Sequence, residues 1–382
     1  MERPLAGLKV LELARVLAGP WIGQTLADLG ADVVKVESPE GDETRGWGPP
    51  FAPDGAAAYF HAANRNKRSI ALDFRDPDDA ALARRLAAGA DVVLENFKLG
   101  GLAKFGLDYP SVAAANPAVV YCSITGFGQT GPYAARPGYD FIIQAMGGIM
   151  DLTGAPEGEP QKPGVAHADL FTGLYGVIAV QAALLLRART GRGQWIDLAL
   201  FDVQLAALAN QAANWLIGGR LPRRMGNAHP NLAPYQVFEA ADGPLVLACG
   251  NDAQFARLCA ALGLDLAQDP RFARNRGRVE NRAALVAALA PALAALPRAQ
   301  ALAALEAAGV PAGPINTVAE AFADPQAEAR GLVQDIGGSR APRSPLRFSE
   351  AELAADRPPP RLDQDGAAIR AAMGADADWP AA

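Results

Sequence analysis

The sequence predicts an α/β protein: a Rossmann-like parallel sheet in a large domain, then a smaller α+β domain, the two joined by long linkers. Short β-branched runs alternate with helical stretches through the first 217 residues, which is the pattern of βαβ units. Several of these runs are apolar on both faces, as strands covered by helices on either side must be. A turn at Asp242-Gly243 between two further strand-like runs marks a change to antiparallel pairing.

In chain order, residues 8–13 read as a strand, 17–29 as a helix and 31–37 as a second strand, making one βαβ unit. Further strands are expected at 68–74, 91–95, 119–125 and 194–198. A helix over 201–217 closes the large domain (1–217), and the polar stretch 218–231 reads as a linker. The small domain, 232–316, holds strands at 235–239 and 244–249, alanine-rich helices at 252–262 and 282–308, and a strand at 311–315. Residues 317–382 form a second linker and a return to the large domain. Pro342, Pro345 and Pro358 to Pro360 give this tail an extended character.

Composition narrows the function. The 382 residues are 50% hydrophobic and 20% charged, ordinary for a soluble chain with two cores. A formal charge of −6 argues against a general nucleic-acid binder, which must neutralise phosphates. Cys122, Cys249 and Cys259 have neither metal nor redox spacing, and a reducing cytoplasm is the expected compartment. His61, His167 and His229 are too scattered for a metal site. The apolar run 174–186, interrupted by Gln181, is shorter than a bilayer span, so no membrane partner is expected. Glu37 closes the second strand as an NAD-binding fold would require, but the turn at 14–20 lacks the G-x-G-x-x-G glycines. A dehydrogenase is therefore not expected.

Asp169 is the most informative residue. It stands before the apolar helical pattern Leu170, Leu174, Val177, Ile178 and Leu184 to Leu186, which reads as a buried helix apolar nearly all round. An acid there is either an N-cap or a carboxylate held for chemistry, beside glycines that let a substrate approach. Other stretches bear on the choice. Asn64-Arg65-Asn66-Lys67-Arg68 is a solvated turn or an anion site. Glu95-Asn96-Phe97 and the glycine-rich loop 123–132 end parallel strands, where open α/β sheets bind ligands. Gly138-Tyr139-Asp140 follows that loop, and Gly250-Asn251-Asp252 ends a strand of the small domain.

Together with residues 15–20 and 28–37, these stretches resemble the class III coenzyme A transferases, the CaiB/BaiF family, over nearly the whole chain. The resemblance implies that Asp169 is the nucleophile that takes the acyl group. It implies that Val16, Ala18, Leu72, Arg75, Asn96, Phe97 and Lys104 line the coenzyme A site and that Tyr139 lies near the acyl group. Gly250 and Asn251 would belong to a mobile loop shielding the carboxylate. Coenzyme A and acyl-CoA would be substrates, with no tightly bound cofactor, and two chains would interlock as a homodimer. Ser38 and Pro137 depart from the pattern where many members carry basic residues.

The implied chemistry is an Asp169-acyl anhydride followed by an aspartyl-CoA thioester. Small glycine-rich segments at 126–131 and Gly250 could offer N–H groups to the oxyanions. Residues 15–20 and 42–51 look like the succinyl-CoA:glutarate CoA-transferase-like branch, where Arg15 or Arg45 would hold a dicarboxylate's distal end. The racemase branch of the same fold has a histidine where this chain has Tyr139, and tyrosine does not exchange protons near neutrality. A non-catalytic coenzyme A binder, with Asp169 as a cap only, is the other alternative.

Overall fold

Strands β1 (Lys9–Glu12), β2 (Asp32–Glu37), β3 (Lys67–Ala71), β4 (Val92–Glu95), β5 (Val120–Thr125) and β6 (Gln194–Ala199) form one sheet in a computed structural model that describes residues 1–374 and 379–380. The order is β3-β2-β1-β4-β5-β6 and every pairing is parallel. Successive side chains on a strand point to opposite faces, so Val10, Val33 and Val92 enter one core while Leu11, Val34 and Val93 enter the other. Strands β1, β2, β4 and β5 are buried on both faces, which explains their apolar runs, while edge strand β6 alternates with exposed residues. Connections leave β1 toward β2 on one side while β4 lies on the other, and this reversal opens a crevice at the strand ends.

Two compact units make up the chain. The first is Met1–Ile149, Lys162–Arg220 and Gln326–Ala382; the second is Met150–Gln161 and Leu221–Pro325. Residues 221–231, read as linker, thus cluster with the second unit, as does the excursion at 150–161. In the second unit β7 (Tyr235–Ala240), β8 (Gly243–Ala248) and β9 (Ala312–Pro314) form an antiparallel sheet in that order. Its core gathers Phe238, Leu245, Leu247, Phe255 and Leu289.

Several helix expectations are corrected. The stretch 201–217 is two helices, Leu200–Ala207 and Ala209–Leu216, broken where Ala209 adopts φ +45°. The stretch 282–308 is also two, Arg282–Ala294 and Arg298–Ala307, bent by 113°. Pro297 stands in the break, lacking the N–H that a continuous helix needs. The tail is not simply extended. It forms the hairpin β10 (Val333–Ile336) and β11 (Ser339–Pro342) and the helix Gly366–Gly374. Asp365 and Asp363 accept the N–H groups of Ser69 and Ala71, covering edge strand β3.

The helix His167–Thr190 is long and apolar enough, by length and composition, to cross a membrane. It is not buried all round. Gly173 and Gly176 face Trp21 and Ile22 of the helix Ala18–Asp28 so closely that a Cβ on Gly176 would lie 2.2 Å from Ile22 Cδ1. These glycines therefore serve helix packing, not substrate approach. The opposite flank leaves Leu174 49%, Ile178 60% and Leu185 70% exposed.

Candidate active site

Asp169 is the third residue of its helix, and the N-cap position is Ala166, which has no side chain to cap with. The N-cap reading of Asp169 is thus corrected. Asp140, first residue of the helix Asp140–Met146, provides the cap from outside: its Oδ1 accepts from Ala168 N at 2.8 Å and Asp169 N at 3.2 Å. Its Oδ2 accepts from Gln144 Nε2 at 2.6 Å. Asp169 itself is 9% exposed, and its carboxylate accepts no hydrogen bond among the described residues. Burial, and secondarily the charge of Asp140, pushes its pKa up to about 7.

A cleft at the crevice between β1 and β4 is lined by Asp169, Tyr139, Arg15, Val16, Ala18, Asn96 and Phe97. A second groove is lined by Leu72, Arg75, Ser38 and Phe105 and shares Arg15 and Phe97 with the first. The expected coenzyme A contacts therefore fall along two adjoining openings. Lys104 lines neither; its ammonium lies 4.7 Å over the ring of Phe105 at the groove's border. The glycine-rich loop contributes its backbone: a Cβ on Gly126 would meet Gly138 Cα at 2.5 Å, so only glycines let this loop carry Tyr139 and Asp140 into the cleft.

Two expectations about cations fail. Arg65 pairs with Asp28, Arg68 with Asp32 and Lys67 with Glu12, so the basic cluster turns inward and is no anion site. Arg45 holds Glu37 with two bonds of 2.7 Å, donates to Pro360 O and covers the Phe60 ring. It is structural, because burial beside a carboxylate leaves it no fork for a substrate. Arg15 is half-exposed, meets Glu43 at 3.0 Å and remains on the cleft wall.

The other named residues are placed as follows. Tyr139 is 58% exposed and precedes the helix of Asp140. His167 stacks on Phe171, and its Nδ1 lies 3.2 Å from Gln204 Oε1. In the second unit, Asn251 caps the helix Asp252–Ala261 by accepting from Gln254 N, while Gly250 N donates to Gln254 Oε1. Gly128 N and Gln129 N are taken by Thr125 and Asp197, which removes them from the oxyanion donors suggested by the loop.

Tyr59 was missed by sequence reasoning. Burial, then the charges of Asp169 and Asp140, push its hydroxyl up to about 12, so it lies within electrostatic reach of the carboxylate. No local pattern announces it, since 110 residues separate it from Asp169. Its ring packs edge-on against Trp47.

A carboxylate stripped of water and partners is a stronger nucleophile than one in solution, and about half of it is ionised at neutral pH. The sequence profile of CoA-transferase family III matches residues 5–366. A succinate–glutarate CoA-transferase of Agrobacterium fabrum is 54% identical over 97% of this chain and 96% of its own length. An acetyl-CoA:oxalate CoA-transferase of Acetobacter aceti is 43% identical, covering 96% and 95% of the two chains. The crystal structure of a CaiB/BaiF family protein from Brucella suis superposes with a TM-score of 0.88 at 62% identity, over 98% of this chain and 100% of that one. The chain belongs to CoA-transferase family III and is a coenzyme A transferase.

Proposed function

We propose that this transferase moves coenzyme A between short dicarboxylates, succinate and glutarate first, with Asp169 as the covalent carrier. The observation that carries the reading is the buried, unpartnered carboxylate of Asp169 in one cleft with Arg15, Asn96 and Tyr139. Asp169 attacks the donor thioester carbonyl; the C–S bond breaks, leaving a mixed anhydride and the CoA thiolate. That thiolate attacks the Asp169 carbonyl, the donor acid leaves as carboxylate, and an aspartyl-CoA thioester remains. The acceptor carboxylate attacks this thioester and expels the thiolate, which then attacks the acceptor's carbonyl and releases Asp169. Each step moves an electron pair and no proton, so tyrosine at 139 is no handicap. Water must be kept out, because anhydrides hydrolyse.

The acid pair is suggested by the Agrobacterium relative and by Arg15, a cation on the cleft wall able to hold a distal carboxylate. The test is a panel of succinyl-CoA with glutarate, oxalate and monocarboxylates, run on the parent and on Asp169→Asn. Transfer to glutarate should exceed that to monocarboxylates by at least about tenfold, and Asp169→Asn should lose about a thousandfold or more. A preference for monocarboxylates would overturn the acid assignment; an active Asp169→Asn would overturn the carrier.

The exposed apolar flank at Leu174, Ile178 and Leu185 supports a homodimer, since single-chain surfaces rarely present such a row. Light scattering should give twice the chain mass, and a monomer at micromolar concentration would refute this.

A further inference from the structure

We propose that Asn96 and Asp42 are positioning residues that lock the chain leaving β1 into a strained turn, and that Asn96 acts through this turn instead of gripping coenzyme A. The turn is at Val16. Its φ is +72°, in the left-handed region that a β-branched side chain avoids. Of the four non-glycine residues with positive φ among the described residues, Val16 is the one with a β-branched side chain, and it lines the cleft that holds Asp169.

Four consecutive backbone groups at this turn are each held by a side chain. Lys35 Nζ donates to Ala14 O at 2.9 Å. Asn96 Oδ1 accepts from Arg15 N at 3.0 Å, and Asn96 Nδ2 donates to Arg15 O at 2.7 Å. Asp42 Oδ2 accepts from Val16 N at 3.2 Å. Both ends of the Asn96 carboxamide are thereby engaged, although the residue sits where a ligand contact was expected.

The holders are themselves fixed. Asp42 Oδ1 takes Thr44 N and Oγ1 at 3.0 and 2.7 Å, and Asp42 Oδ2 lies 3.0 Å from the buried Lys35 ammonium. Asn96 follows β4 and Arg15 follows β1, so the Asn96 bonds tie the two strand ends across the sheet's reversal point. There the two connections diverge beyond the ladder of β1 and β4, which continues to the Leu13 N–Leu94 O bond. A carboxamide suits the place because it offers one acceptor and one donor to the same residue; Asp would lack the donor. A displacement of this wall by about 1 Å is enough to cost about a hundredfold in rate.

This inference rests on the cleft being where acyl-CoA reacts, but not on which acid accepts. The experiment compares Asn96→Ala in the parental background and in a Val16→Gly background, following loss of the acyl-CoA thioester and thermal melting. With Val16 present, Asn96→Ala should lower kcat about 10–100-fold with little change in KM for acyl-CoA. With glycine at 16, which occupies positive φ freely, the same substitution should cost less than about threefold relative to Val16→Gly alone. Equal losses in both backgrounds, no loss in the parent, or a loss carried by KM would overturn the proposal. If Asn96→Ala unfolds but the double variant stays folded, the coupling is shown by melting; unfolding of both overturns it. A wrong choice of acid would appear separately, as a parent inactive with that acid.

Discussion

Glu12 at the end of β1, Glu37 at the end of β2 and Asp42 just beyond it, and Asp169 at the start of its helix, are all carboxylates withdrawn from water, but the fold surrounds them differently. The first three face Lys35, Lys67 and Arg45 at 2.7–3.1 Å, three negative charges against three positive ones. Burial opposes ionisation there, yet Lys35, Arg45 and the Thr44 donors hold Glu37 and Asp42 below the usual carboxylate range. Lys35 is held well above its ordinary value, while burial brings Lys67 down to about 8. Asp169 has no ion-pair partner among the described residues, and the charge of Asp140 repels it. Paired charges fix a backbone; an unpaired one in a cleft is a candidate for chemistry.

Stability should separate the two regions most. Lys35→Met leaves Glu12 and Asp42 short of a buried counter-charge and should cost about 3–5 kcal/mol in urea unfolding. A loss within error of zero would show that the network contributes no framework. Asp169→Asn should act in the opposite direction. Its folded pKa lies above the unfolded value, so the ionised native form is penalised fully above about pH 7 and not at all below about pH 4. The variant should gain on the order of 2–4 kcal/mol at pH 8, shrinking to nothing near pH 4. A variant less stable at pH 8 would mean that the carboxylate has a partner.

Activity offers the smaller effects. In the proposed covalent mechanism Asp169 attacks in its ionised form, so kcat/KM should fall about tenfold per pH unit below 7 and flatten above it. Asp140→Asn keeps an acceptor oxygen for the Ala168 and Asp169 N–H groups but removes the like charge. Its acid limb should move to lower pH, with a change at pH 6 of less than about tenfold. An unmoved limb would leave burial as the sole cause.

Much of this was legible in the chain. The six parallel strands were announced by β-branched runs within a few residues of their observed ends, because a strand buried on both faces needs that composition. Motifs in one order singled out Asp169, Tyr139 and Asn96, which line one cleft. Charge pairing was less legible. The cluster at Asn64 to Arg68 stayed open between a solvated turn and an anion site, and Arg45 between an ion pair and a substrate contact, because sequence spacing does not say whether a cation faces water or a carboxylate brought from another strand. The break at Pro297 was written in the sequence and overridden by the alanine-rich pattern around it.

By itself the sequence determined the alternating architecture and the family, and it pointed to Asp169 as the residue to examine, since these depend on local composition and on motif order. Only the tertiary structure decided what surrounds that residue. The cap from Asp140, the approach of Tyr59 and the hold of Asn96 and Asp42 on Val16 join residues dozens of positions apart. Their energies arise from burial and from directional hydrogen bonds, which exist only once the sheet has brought its strand ends together.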